Sequence, residues 1–381
     1  MSAAAEAGTT YVALTPGDPA PWFRQRISAQ ESYSIDKSGG SYVVLCFFIT
    51  ASDTIGRAAY DATAANRQAL AGKNLTFFGI SMDQTDATSG RIPTGGNRPT
   101  VFWDFDASVS RLYGAAPREA HVIAGDIAVR RFWIVLDPML RVLKTFPITA
   151  DPGHITEVMA YLDALPHAGR AAGVEMHAPV LLLPNVFEPE LCRSLIALYE
   201  KQGGTPSGFM REIGGKTVVV TDPKHKRRKD CTIEDEALLA ITKHRIARRI
   251  VPEIAKAYQF HVTRIERFIV ACYSAEDGGV FNPHRDNTTK GTAHRRFAVS
   301  LNLNEDYEGG EIRFPEFSPK GIKPPAGGAV VFSCSLLHAA NEVTRGNRYA
   351  FLPFLYDEAA SKIRETNNQY LDPALSQYKS S

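Results

Sequence analysis

The sequence predicts two domains of different class: an α/β layer over residues 1–168 and an all-β core with supporting helices over 179–381. Three observations predict it. In the first part, continuous apolar runs rich in β-branched and aromatic residues alternate with helical text. Residues 169–178 are small, polar and glycine-containing, as a linker is. Beyond them, two helical stretches give way to many short strands punctuated by glycine and proline.

The first part opens with a polar segment and the proline-punctuated turn Gly17-Asp18-Pro19-Ala20-Pro21-Trp22-Phe23. Tyr42–Ile49 is wholly apolar and bounded by turn signals, which predicts a strand buried on both faces. Gly56–Ala71 has the alanine-rich composition of a helix, and Leu75–Ile80 reads as a second buried strand. Pro99–Trp103 and Phe132–Leu136 read as two more strands, and Ile155–Leu165 as a closing helix.

On Gly17–Phe23, Val43–Phe48, Asp104–Gly114 and Ile134-Val135-Leu136-Asp137-Pro138, this part resembles the thioredoxin-like fold and, within it, the peroxiredoxins. Such an enzyme needs a thiolate in the first turn of the helix after that strand, where the helix N-terminus and a basic neighbour lower its pKa. The corresponding loop here, Thr50-Ala51-Ser52-Asp53-Thr54-Ile55-Gly56-Arg57, holds no cysteine. Cys46, the one cysteine of this part, lies inside the apolar strand and reads as a small hydrophobe. The domain is therefore expected to be a redox-inactive scaffold, interface or docking element.

In the second part, Pro179–Pro184 reads as a strand. A helix follows from Asn185–Glu190, with Leu191, Leu195, Ile196 and Leu198 at helical spacing. Ile233–Tyr258 reads as one long helix carrying Leu238, Ile241, Ile246, Ile250 and Ile254. Between them lies the basic run Lys224-His225-Lys226-Arg227-Arg228-Lys229, read as a solvated loop. The alternatives are a mobile loop that meets an acidic substrate or partner, or a weak nuclear-localisation signal.

The stretch 272–354 carries the chemistry. His284 and Asp286 are two apart, so an extended strand projects both side chains from one face. His338, after the strand Gly328–Ser333, is the favoured third ligand, and His294, in a polar loop, is the alternative. Two histidines and a carboxylate with open positions are the ligand set of a mononuclear non-haem iron(II) site. Arg348 follows His338 by ten positions on the next strand, placed to take a carboxylate bidentately, and Tyr273 is placed to add a hydroxyl. Either histidine taken singly also reads as a satisfied core residue; the full ordered set does not. Cys272 and Cys334 flank the stretch and read as strand packing.

On Val270–Tyr273, His284–Asn287, Arg296–Asn304, Gly309–Phe314 and His338–Phe351, residues 179–358 resemble the prolyl-4-hydroxylase-type iron(II)- and 2-oxoglutarate-dependent dioxygenases, and most nearly their oxygen-sensing branch. The resemblance implies a double-stranded β-helix (jelly roll). It implies iron held by His284, Asp286 and His338, and 2-oxoglutarate held by Arg348 with Tyr273 and Asn302, with dioxygen as co-substrate and ascorbate as a candidate accessory reductant. It implies hydroxylation of a C–H bond, of a peptidyl, prolyl-type residue or of a small molecule, with release of succinate and CO2. The position where such relatives often place a tyrosine aligns with Leu301, leaving Tyr273, Ser300 or Asn302 to compensate. Because Asp286 is present, a halogenase variant, which gives up that carboxylate, is disfavoured.

The bulk properties fit. The 381 residues suffice for two cores, and a formal charge of +2 makes no case for nucleic-acid or membrane partners. Five scattered cysteines without a CxxC pair point to a reducing compartment. With no basic, apolar leader in Met1–Glu6 and no long apolar run, the expectation is a soluble, cytoplasmic enzyme, with pairing through the first domain one way to oligomerise. The competing readings are a non-catalytic binding or sensing protein and a thiol-dependent antioxidant enzyme acting through Cys46.

Overall fold

The computed structural model describes residues 10–28, 30–66, 71–93, 100–119 and 128–379. Met1–Glu6, Pro99 and the end of the helix expected over Gly56–Ala71 lie outside the described residues. The chain divides into two compact units, Met1–Met176 with Pro315–Ser318, and His177–Phe314 with Pro319–Ser381.

The first unit is a seven-stranded mixed sheet in the order Gln30–Ser34, Arg24–Ile27, Thr100–Trp103, Leu75–Ser81, Tyr42–Ile49, Phe132–Leu136, Val142–Pro147. Tyr42–Ile49 runs parallel to Leu75–Ser81, which runs parallel to Thr100–Trp103, and antiparallel to Phe132–Leu136. Its period-two alternation feeds two cores. Val43, Leu45, Phe47 and Ile49 enter one, and Val44, Cys46 and Phe48 the other, so every side chain of the strand is buried. Each large apolar side chain so buried contributes about 1.5–3 kcal/mol. This is a thioredoxin-like α/β unit.

The helix Thr54–Asn66 crosses between the first two parallel strands and starts where Asp53 Oδ1 accepts the Gly56 N–H at 2.8 Å. Gly56 is obligatory, because a Cβ there would meet the Thr50 carbonyl oxygen at 1.9 Å. The closing helix is Gly153–Ala164. The alternating strands Arg24–Ile27, Gln30–Ser34 and Val142–Pro147 have no continuous apolar run, and so were not expected.

The second unit holds two facing sheets, the jelly-roll arrangement. The larger orders Arg264–Glu266, Phe354–Tyr356, Phe297–Asn302, Asn347–Phe351, Ile269–Ser274, Lys229–Thr232 and short edge pairings, and Ala329–Ser333 joins it through Phe297–Asn302 and Leu181–Leu183. The smaller orders Lys226–Arg227, Val280–His284, His338–Ala340, Ile312–Arg313 and Gly321–Ile322. On the outer face of the larger sheet, Val270, Cys272, Val299, Leu301, Tyr349 and Phe351 pack with Leu191, Leu195 and Tyr199 of the helix Pro189–Gln202. The inner face presents the alternate residues, among them Ala271, Ala298, Ser300 and Ala350. These are small, so the sheets enclose a cavity instead of a filled core.

Three expectations need correction. The helix expected over Ile233–Tyr258 is two, Glu236–Arg249 and Val251–Tyr258, because Pro252 lacks an N–H and clashes with the preceding turn. The basic run is not a solvated loop: Lys226–Arg227 and Lys229–Thr232 are strands, and Lys226 and Arg228 are buried. Leu301 is fully buried in the outer core, so it does not face the cavity.

Candidate metal centre

The centre is built where the smaller sheet loses its regular register. Phe281 pairs with Ala340 and His284 with His338, so the upper strand carries one residue more than its partner. Pro283 sits in that bulge, where its missing N–H costs no ladder bond. The strand ends at His284, and Asp286 lies on the turn beyond it, pinned by its N–H donating to the Cys334 carbonyl at 3.0 Å. The same-face placement of His284 and Asp286 thus comes from a strand end plus a turn, not from one extended strand.

His284, Asp286 and His338 bring one ligand atom each to within 4.8 Å of one another, a group able to hold a metal ion. His284 Nδ1 is 2.8 Å from the Asn282 carbonyl, and His338 Nδ1 is 3.0 Å from the Leu336 carbonyl. A carbonyl only accepts, so both rings carry a proton on Nδ1 and turn Nε2 inward. The two Nε2 atoms stand 3.6 and 3.3 Å from the oxygens of Asp286. Burial, with His338 beside it, pushes His284 down to about 4, so the imidazole is neutral at physiological pH. Burial works against the Asp286 charge, but both imidazoles and Arg295 hold its carboxyl below the usual range. Two imidazole Nε2 atoms and an ionised carboxylate form a donor set that fits iron(II). Phe281 stacks on His284 at 3.5 Å between ring centroids, and Phe332 meets His338 edge-on at 4.6 Å, fixing both rings.

These residues line one cavity that opens to solvent. Tyr273, Ser300, Ile312, Ala340, Arg228 and Arg267 are also on its walls. Arg348 is 1% exposed and lies across from Tyr273 in the strand ladder. Its Nε and Nη2 donate to Asn302 Oδ1 at 3.2 and 3.1 Å, and Nη2 also to Ser300 Oγ at 2.7 Å. Its Nη1 is buried and has no hydrogen-bond partner among the described residues. An orphaned guanidinium donor costs about 1–3 kcal/mol unless a ligand meets it. Gly310 makes room for this side chain, since a Cβ there would come within 3.1 Å of Arg348 Cδ. Asn302 sits behind the arginine: its Nδ2 donates to Tyr307 Oη and the Pro324 carbonyl, leaving nothing for a ligand.

His294 is not brought to the centre. Its Nε2 is 3.0 Å from Glu266, which also takes Arg295 and Arg364. Cys272 and Cys334 are buried free thiols outside the three-residue group. Two wall residues, Arg228 and Arg267, escaped the sequence reading. Arg228 donates Nε and Nη2 to Asp230 at 2.7 Å each and Nη1 to Tyr273 Oη at 3.3 Å. Against the penalty of burial, Arg228 holds Asp230 down to about 2. Lys226 donates to Ser207 Oγ and the Gly208 carbonyl, and burial, with Arg228 close by, pulls it down to about 6. The alternation Lys226, Arg228, Asp230 was the available signal: period two marks a strand, and a paired carboxylate marks burial.

In the first unit, the place where a thiolate would stand is taken up by ion pairs. Arg131 grips Asp53 with two hydrogen bonds, at 2.9 and 2.5 Å. Cys46 is 1% exposed, and burial drives its thiol well above the usual range.

Residues 268–356 match the family model described as the 2OG-Fe(II) oxygenase superfamily, and residues 16–142 match that of the AhpC/TSA family. Over 112 residues the chain is 42% identical to a PKHD-type hydroxylase of Pseudomonas fluorescens, covering 27% of this chain and 47% of that protein. A PKHD-type hydroxylase of Synechococcus is 32% identical over 93 residues, covering 23% and 41%. The chain thus spans less than half the length of these curated relatives. Among solved structures, a Pseudomonas putida prolyl-4-hydroxylase is 18% identical at TM-score 0.35, covering 47% of this chain and 93% of that one. The peroxidoxin BcpB of Mycobacterium tuberculosis is 18% identical at TM-score 0.35, covering 40% and 99%. The chain therefore joins a segment that matches the AhpC/TSA family to one that matches the 2OG-Fe(II) oxygenase superfamily, and the latter family implies iron(II), 2-oxoglutarate and dioxygen.

Proposed function

We propose that this chain is an iron(II)- and 2-oxoglutarate-dependent dioxygenase that hydroxylates a C–H bond, with succinate and CO2 as the other products. One observation carries the reading: the Nε2 atoms of His284 and His338 and the Asp286 carboxylate converge on one cavity whose wall also holds Ser300 and Tyr273, the hydrogen-bond partner and the ladder partner of the orphaned Arg348. In this reading His284, Asp286 and His338 hold the metal. Arg348 Nη1 receives the far carboxylate of 2-oxoglutarate, and Tyr273 lines that end of the cavity. Asn302 and Ser300 hold the guanidinium in place. When bound, the metal and co-substrate supply dioxygen activation. The chain supplies orientation: the carbonyls of Asn282 and Leu336 fix the imidazole tautomers, and Phe281, Ile312 and Phe332 keep the walls apolar and exclude water.

The substrate class suggested by the resemblance is a peptidyl, prolyl-type residue, with a small molecule as the other reading, and ascorbate would serve to restore iron(II). We take residues 1–168 as a redox-inactive domain for docking or pairing, 169–178 as the linker and 179–381 as the catalytic domain. Five free, buried cysteines support a reducing, cytoplasmic setting. No helix among the described residues is long and apolar enough to cross a membrane. The test is turnover of 2-oxoglutarate to succinate on admitting air to protein loaded anaerobically with iron(II). Full turnover by His284→Ala would sink the assignment.

A further inference from the structure

One cation on the cavity wall has no part in the chemistry proposed above. Arg267 lines the cavity together with Asp286, Leu352 and Phe354. Its backbone is left-handed, at φ 65°, a conformation that costs a non-glycine residue on the order of 1 kcal/mol and tends to be kept where function needs it. Nε and Nη2 both donate to the Leu352 carbonyl, at 3.0 and 2.8 Å, and the guanidinium lies 4.3 Å from the Phe354 ring centroid. Nη1 makes no hydrogen bond among the described residues.

The neighbouring arginines are matched. Arg228 has Asp230, and Arg295 and Arg364 share Glu266. Arg348 is reserved for the co-substrate. Arg267 has no carboxylate within ion-pair distance among the described residues, and it stands in the fields of Arg228 and Arg295, with Asp230 and Asp286 as the more distant carboxylates. Burial first, and then those two arginines, pull its basicity down to about 10 against the opposing pull of Asp230 and Asp286. A neutral donor would hold the Leu352 carbonyl without that burial penalty, so the cation calls for an anion from outside the chain. A planar fork on an aromatic floor suits a carboxylate better than a diffuse anion.

We infer that Arg267 anchors a carboxylate of the molecule being oxidised, so that the substrates of this site are acids, either free small acids or acidic peptides. The inference rests on the metal and co-substrate reading above.

The test reads proximity, not turnover. Protein is loaded with N-oxalylglycine, an unreactive isostere of 2-oxoglutarate, and with manganese(II) or, as the diamagnetic reference, zinc(II). The manganese-induced ¹⁹F relaxation is then measured for trifluoroacetate and for a trifluoroacetyl-capped Ala-Glu-Ala amide, with trifluoroethanol as the neutral control. Enhancement for either acid supports the inference, and which acid responds identifies its source. Arg267→Met should reduce that enhancement about tenfold or more, the loss expected of one charged hydrogen bond, with manganese and N-oxalylglycine still bound. If Arg267→Met fails to take up metal, Arg267→Lys replaces it, with a partial loss expected because the fork is gone. Enhancement for neither acid, an equal response from trifluoroethanol, or an unchanged response in the variant overturns the inference. So does loss of N-oxalylglycine in place of the acid, since Arg267 would then belong to the co-substrate. Wild-type protein that holds neither manganese nor N-oxalylglycine refutes the proposed function itself, and this inference with it.

Discussion

His338 Nε2 stands 3.3 Å from Asp286 Oδ2, and the two arrive from opposite sides of a bulged strand pair. Asp286→Ala and His338→Ala should each weaken cobalt(II) binding at least about 100-fold, more than the loss of an outer partner costs. Titration of the cobalt visible bands reads this directly. Circular dichroism should remain that of the wild type, because neither side chain belongs to an apolar core.

The neutral state of His284 sets an acid limit. Its folded value is near 4, against an ordinary 6.5, so above about 6.5 neither state takes up a proton there and the full stability is present. As pH falls from 6.5 towards 4, the unfolded chain gains a proton that the folded site refuses, and stability drops. The loss in metal-free protein should approach about 3 kcal/mol. Urea denaturation at pH 7.5 and pH 4.5 measures it. His284→Gln should show a flatter profile over that interval.

What the sequence disclosed, and what it hid, follows from how far each residue depends on pairing. The runs Tyr42–Ile49 and Phe132–Leu136 declare themselves because a strand buried on both faces is apolar at every position. The donors His284, Asp286 and His338 are visible as residue types at telling positions, yet the bulge at Pro283 that aims them is a property of two strands together. Leu301 was given the wrong face because facing depends on register, and only the pairing with Phe351 settles which side is inward. Arg228, within the run expected to be a solvated loop, and Arg267, which carries no signal of its own, were hidden for a similar reason. A cation in a linear sequence has no partner until folding brings Asp230, or the Leu352 carbonyl, beside it. The break before Pro252 was legible, but the apolar spacing of Ile246, Ile250 and Ile254 carries across it because both helices pack on the same core.

The thiol chemistry of the first domain should be silent. All five cysteines are buried, and burial raises the thiol of Cys46. Native protein should give essentially no reaction with Ellman's reagent over minutes, and close to five equivalents after denaturation. Peroxide consumption with a thiol reductant should be absent, and Cys46→Ser should leave that result unchanged. Prompt reaction of one thiol in the native protein, lost in Cys46→Ser, would restore the antioxidant reading.

Arg348 should behave as a co-substrate anchor held in place by its neighbours, and the two roles separate kinetically. Its Nε and Nη2 are bound to Asn302 and Ser300, so Nη1 alone is left to a ligand. Arg348→Met removes the charge and should raise KM for 2-oxoglutarate about 100-fold, the scale of losing a buried charged contact. Arg348→Lys should recover little of this, because a point charge cannot reach Asn302 and Ser300 while also meeting the carboxylate. Ser300→Ala leaves the guanidinium charged and still held by Asn302, so KM should rise only about tenfold or less, one neutral-to-charged hydrogen bond being lost. In both series kcat at saturating 2-oxoglutarate should change far less than KM, since none of these groups touches the metal ligands. A matching fall in kcat for Ser300→Ala, with KM unmoved, would instead place that hydroxyl in contact with the reacting centre.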